Sequence, residues 1–184
     1  MKVCKAGQEA LAALLKRISA VNAEKDQNVV FSPLSIHVAL VLIPGGVGVV
    51  ARDDKGRVIL TSWRVIFNAN SPAEVEWLAC HEGVNLAAEW VRDRVIVETD
   101  SSLVASMLRE HSFAKSKFCF IGQDIEARTG DLPEVCFQAV RRGCNRAAHE
   151  LAQLAKQTAH TAVWRSGVPQ CIKHLVTQDC NFDG

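Results

Sequence analysis

From Gly46 onward the chain alternates between β-rich and helical runs, and that alternation constrains its fold more than any other feature. Residues 47–52 and 57–67 are two β-rich runs joined at Asp53-Asp54-Lys55-Gly56, where Asp and Gly tolerate the positive φ of a hairpin turn. A helix follows with a clear start. Ser71 can cap it, Pro72 fits the first helical position, and Glu74 completes an S-x-x-E capping box. Val75, Leu78, Ala79, Leu86 and Trp90 supply its buried face, while Ala79, Cys80, Gly83 and Ala87 are small enough for close approach to a sheet. Residues 94–99 read as a strand, and Ser101 or Ser102 caps a helix running to about Glu110. Residues 114–127 read as helical, 134–140 as the last strand, and 145–157 as a helix with Ala148, Leu151, Ala152 and Ala155 on one side. From Val163 there is no clear periodicity. Strands alternating with helices in this way predict an α/β sheet.

Upstream the pattern differs. Ala10, Leu11, Leu14, Leu15 and Ile18 recur at helical spacing over 7–21, which predicts an N-terminal helix ended by the polar run 22–27. The 184 residues have room for one domain and an appendage. A net charge of +1 gives no whole-molecule field for a polyanion, so any nucleic-acid affinity must be local. Seven cysteines form no CxxC pair. An odd count without a signal peptide leads us to expect a reducing compartment, cytoplasmic or nuclear, and no disulfide-linked partner. The apolar run 38–43 is too short to span a bilayer, so no membrane partner is expected.

Two stretches carry resemblances. Asn28-Val29-Val30-Phe31-Ser32-Pro33-Leu34-Ser35-Ile36-His37-Val38-Ala39-Leu40 resembles the early segment of plant serpins, a likeness covering about the first 43 residues. The large sheet and reactive loop of a serpin have no sequence left to encode them, so protease inhibition is not expected. Gly46-Val47-Gly48-Val49-Val50-Ala51-Arg52-Asp53, with the helix and strand motifs after it, resembles the ribonuclease H fold of plant retrotransposon-derived reverse transcriptases. The resemblance implies a mixed sheet flanked by helices and four acidic residues around magnesium, which would activate water to cleave RNA in an RNA–DNA hybrid. Val75-Glu76-Trp77-Leu78-Ala79 matches the first-helix motif and makes Glu76 the second carboxylate; Val97-Glu98-Thr99-Asp100-Ser101 makes Asp100 the third. Asn145-Arg146-Ala147-Ala148-His149-Glu150 matches the last-helix motif, but His149 stands where the fourth acid would be. Imidazole is a poorer ligand than carboxylate for magnesium. Arg141, Arg142, Asn145 and Arg146 form the candidate nucleic-acid contact, with a solvated basic loop as the alternative reading.

The first acid is missing. The family's first strand should lie just before Gly46, yet no Asp or Glu occurs between Asp26 and Asp53. That strand is the central one of the fold. The β-rich run 38–43 is continuously apolar, as suits a strand buried on both faces, and we expect it to fill the central slot without bringing a carboxylate. The expected organisation is a serpin-like segment at 1–45, a ribonuclease H-like domain at 46–160 and a tail at 161–184.

Without the resemblance, Glu76 reads as a first-turn glutamate favoured by the helix dipole and Asp100 as a helix cap. Their joint placement in the ordered series is what points to a metal site. Asp53 and Asp54 read as turn residues, and Trp63, Trp77, Trp90 and Trp164 as core or interface residues rather than base-stacking platforms. The function expected is a nucleic-acid-binding, ribonuclease H-type domain with impaired catalysis. The alternative is a non-catalytic interaction or relic protein from a gene fusion.

Overall fold

The structure, a computed structural model, describes residues 36–43, 45–67 and 69–179. The expected helix over 7–21 and the serpin-like residues before Ile36 lie outside the described residues. Six strands form one sheet: β1 (Ile36–Ile43), β2 (Gly46–Arg52), β3 (Val58–Val65), β4 (Val95–Thr99), β5 (Val135–Ala139) and β6 (Ala162–Arg165), in the spatial order β5-β4-β1-β2-β3-β6. The helices are α1 (Pro72–Trp90), α2 (Ser102–Arg109), α3 (Cys119–Thr129), α4 (Arg146–Thr158) and α5 (Lys173–Asp179).

β1 fills the central slot, as the apolar run 38–43 predicts, and begins two residues earlier. It pairs antiparallel with β2, from His37 opposite Arg52 to Ile43 opposite Gly46, and parallel with β4, from Ile36 beside Val95 to Leu40 beside Thr99. Gly45 closes the β1–β2 connection at φ +92°, a backbone region that glycine enters without steric cost. β2 is buried along its whole length, and β3 pairs with it after a turn closed by Asp53. The Asp53 carboxylate accepts from the Lys55 and Arg57 backbone N–H groups at 3.0 and 2.8 Å and from Arg57 Nε at 2.6 Å. Both Asp53 and Asp54 are therefore turn residues.

One face of the sheet carries α1, whose Val75, Ala79, Cys80, Val84 and Ala87 pack with Val47, Val49, Val95 and Val97. The expected buried face of α1 needs one correction: Trp77 is 2% exposed, whereas Leu78 is only half-buried. The helix is covered on a second flank by α3 and the 3-10 turn Phe113–Lys115, and Trp77 meets Phe113 edge-on at 5.8 Å and Phe118 at 6.1 Å. Ser71 caps α1 by accepting from Glu74 N. The Glu74 carboxylate reaches past the cap to the backbone and side-chain nitrogens of Asn70, at 2.7 and 2.9 Å.

The other face carries α4. Ala147, Ala148, Leu151 and Ala155 pack with Val50 and Trp63, joined by Ile172 and Leu175 from the C-terminal segment. Gly46 and Gly48 make this approach possible, because a Cβ on Gly48 would stand 1.9 Å from the Ala148 carbonyl oxygen. Two further expectations are corrected. Residues 134–140 do not hold the last strand, since β6 adds to β3 with Leu60 opposite Arg165 and Trp63 opposite Ala162. The helix expected at 114–127 is instead a 3-10 turn followed by α3. The sheet includes β1, before residue 45, and β6, after residue 160.

Candidate functional site

Glu76 lies in the second turn of α1, and Asp100 directly follows the carboxyl end of β4, where open α/β sheets place their ligands. The small residues of α1 bring it down on the sheet so that both carboxylates stand near the same strand end. Cys80 lies one turn after Glu76 and is fully buried. Its thiol is pushed up to about 12, first by burial and then by the negative charges of Glu76 and Asp100, against a side-chain hydrogen bond with Thr99. The two acids converge through Ser101, the chain neighbour of Asp100, whose hydroxyl reaches Glu76.

Each acid already has a partner. Ser101 Oγ donates to Glu76 Oε2 at 2.7 Å, and the same hydroxyl accepts from Val104 N to cap α2. Arg142 Nε donates to Asp100 Oδ2 at 2.9 Å, although the Arg142 side chain is 80% exposed and that of Asp100 only 10%. Arg142 is held more firmly in its charged form by this hydrogen bond, by the Asp100 charge and, more weakly, by Glu76. It sits in the 3-10 turn Arg142–Asn145, whose approach is fixed by Val140 N donating to Thr99 O at 2.9 Å. That bond ties the chain two residues before Arg142 to the residue before Asp100.

His149, in the first turn of α4, is half-buried and does not complete the set. Among the described residues there is no group of three or more His, Cys, Asp and Glu side chains that could hold a metal ion. Asn145 occupies the N-cap position of α4 and is 1% exposed, whereas Arg141 and Arg146 beside it are exposed. Ser101 as the partner of Glu76 went unread in the sequence, where it signals only a helix cap. Arg142 was legible as a basic residue but not as the partner of an acid 42 positions away.

The sequence matches the reverse transcriptase-like family over residues 43–155, more than half of the chain. The chain belongs to that family. A comparison with curated proteins finds no match. Among solved structures, this reverse transcriptase-like domain is similar to RNase H1 of the halophilic archaeon Halobacterium salinarum, with a TM-score of 0.60 and 18% identity over 68% of this chain and 98% of that one. The N-terminal RNase H domain of a Mycobacterium tuberculosis protein gives 0.59 and 19%, covering 69% and 99%. LC11-RNase H1, whose structure was determined in complex with an RNA/DNA hybrid, gives 0.58 and 21%, covering 68% and 98%. These likenesses show that the domain has the RNase H-like fold.

The residues present do not fit the magnesium pair that the fold implies. Magnesium takes a near-octahedral shell of hard oxygens, and two-metal hydrolysis needs several carboxylates from separate elements. Here the central strand has no acid in its sequence, Asp100 is paired with a guanidinium, and among the described residues no third His, Cys, Asp or Glu joins the two acids.

Proposed function

We propose that this reverse transcriptase-like domain binds nucleic acid of the RNA–DNA hybrid type without cleaving it efficiently. The observation that carries the reading is the Asp100–Arg142 ion pair at the end of β4, which occupies the acid best placed to take a metal. The fold resembles that of hybrid-cutting ribonucleases, and the exposed Arg141 and Arg146, on either side of the Arg142 pair, supply local positive charge for phosphates. Glu76 and Asp100 keep the positions of a catalytic pair but act here as anchors for α2 and for the 142–145 turn. Residues that work as a catalytic unit lose activity by orders of magnitude when the unit is broken, so hydrolysis falls far below that of an intact site. The affiliation with plant retrotransposons and the serpin-like kinship of residues 1–43 rest on the quoted motifs. Transcript sequencing across Gly45 tests the junction.

The deciding experiment incubates the purified chain with a labelled RNA–DNA hybrid, with and without Mg2+, and follows binding and cleavage together. Binding that weakens steeply with salt, without cleavage, is the expected result. Magnesium-dependent cleavage abolished by Glu76→Gln would make the domain an active ribonuclease. Absence of any hybrid binding would favour the relic or protein-interaction reading.

A further inference from the structure

We propose that Arg142 takes the place of the metal cation at the carboxylate pair, so that the site is neutralised from within the chain and closed to divalent ions. Three observations converge on this arginine. Asp100 is largely withdrawn from solvent, and a buried carboxylate requires a compensating charge. Among the described residues that charge comes from Arg142, whose Nε sits 2.9 Å from Oδ2. Ser101, next to Asp100 in the chain, hydrogen-bonds Glu76 at 2.7 Å, so the guanidinium meets a strand end that holds both acids.

The backbone presents Arg142 to this spot rather than leaving it to chance. The bond from Val140 N to Thr99 O extends the β4–β5 pairing by one step. The 142–145 turn then folds back, with Cys144 N donating to Arg141 O at 2.8 Å. The chain therefore turns directly above the acid. On the opposite side the Ser101 hydroxyl donates to Glu76 while accepting from Val104 N at the cap of α2, so an incoming ion would also have to compete with that hydrogen bond for the second carboxylate. A divalent ion would have to compete with a guanidinium that stays protonated at any physiological pH for the Asp100 carboxylate.

The inference rests on the placement of the two carboxylates adopted above but not on hybrid binding, and its test contains no nucleic acid. Mn2+ is titrated into the full chain, with binding read from water-proton relaxation, for wild type and for R142A, R142K and R142A/D100N. Circular dichroism confirms that each is folded. R142A is expected to bind Mn2+ at least about tenfold more tightly than wild type, because like-charged carboxylates left uncompensated attract a cation. R142K retains the positive charge and stays close to wild type, and the double variant loses the gain. Equal affinity of wild type and R142A would overturn the proposal, as would saturable binding to neither or a gain that survives D100N.

Discussion

Replacing Gly48 with alanine tests the packing that seats α4 on the sheet. The new Cβ would lie 1.9 Å from Ala148 O, 2.7 Å from Ala152 N and 2.9 Å from Leu151 Cβ. The closest carbon–oxygen contacts in proteins are about 3.3 Å, so helix and strand must part locally by roughly 1.4 Å. Two of the three obstacles are backbone atoms, which no change of rotamer can move aside. The helix has to lift. A gap of about 0.5–1 Å already forfeits a quarter to a half of each dispersion contact, and the face concerned includes Ala147, Ala148, Leu151, Ala152 and Ala155, all fully buried. Overpacking costs about 1–3 kcal/mol where side chains can adjust, and a backbone clash belongs at the top of that range. Loss of glycine's freedom in the unfolded chain offsets only about 0.4–1 kcal/mol. A net cost of about 2–3 kcal/mol corresponds to a fall in Tm of roughly 4–12 °C for a chain of this size. Thermal unfolding followed by circular dichroism measures it, with Gly143→Ala as control, since a Cβ there meets nothing within 4 Å. A G48A chain melting within about 2 °C of wild type would refute the reasoning, because α4 would then be seated by something other than the glycine pair.

Two predictions concern titratable side chains. The fully buried Cys80, with its thiol raised to about 12, is expected to resist iodoacetamide at mildly alkaline pH while the exposed Cys136 and Cys171 react. Mass-spectrometric labelling rates check this, and modification of Cys80 as fast as Cys136 in the folded protein would contradict it. His81 is held below its ordinary value of 6.5, chiefly by burial and secondarily by Arg64 and Arg128, against the raising effect of Glu82 and Asp124. As pH falls through 6.5 the unfolded chain takes up this proton before the folded one does, so stability declines from there toward the folded value. The Tm of wild type should therefore drop more steeply than that of His81→Gln between about pH 7 and 5, and parallel slopes would exclude His81 as the cause.

The sequence carried much of this fold because its local signals agree with one another. Ser71-Pro72 starts α1, the apolar run 38–43 belongs to β1, and Asp53 to Gly56 closes a hairpin. Where local signals were weak, the reading failed. β6 is four residues long and alternates poorly, and only its pairing with β3 makes it a strand. The buried stripe read for α1 took in Leu78 and left out Trp77, because α1 buries two flanks and a single helical stripe predicts one. In the site, motif order singled out Glu76 and Asp100, which the fold brings to one strand end. Their partners were not legible, because Ser101 and Arg142 meet them across 25 and 42 residues, through contacts that exist only once α1, β4 and the 142–145 turn converge.

The position of β1 has a consequence for how the sheet holds together. β2, β3 and β6 form one hydrogen-bonded ladder and β4 with β5 another, and among the described residues the eight of β1 join the two ladders into one sheet. Backbone pairing does not read side-chain identity, so any apolar strand of the right length can act as this keystone. A chain lacking it would leave two unpaired edges facing each other. The slot is thus the point at which one weakened strand would loosen both ladders at once.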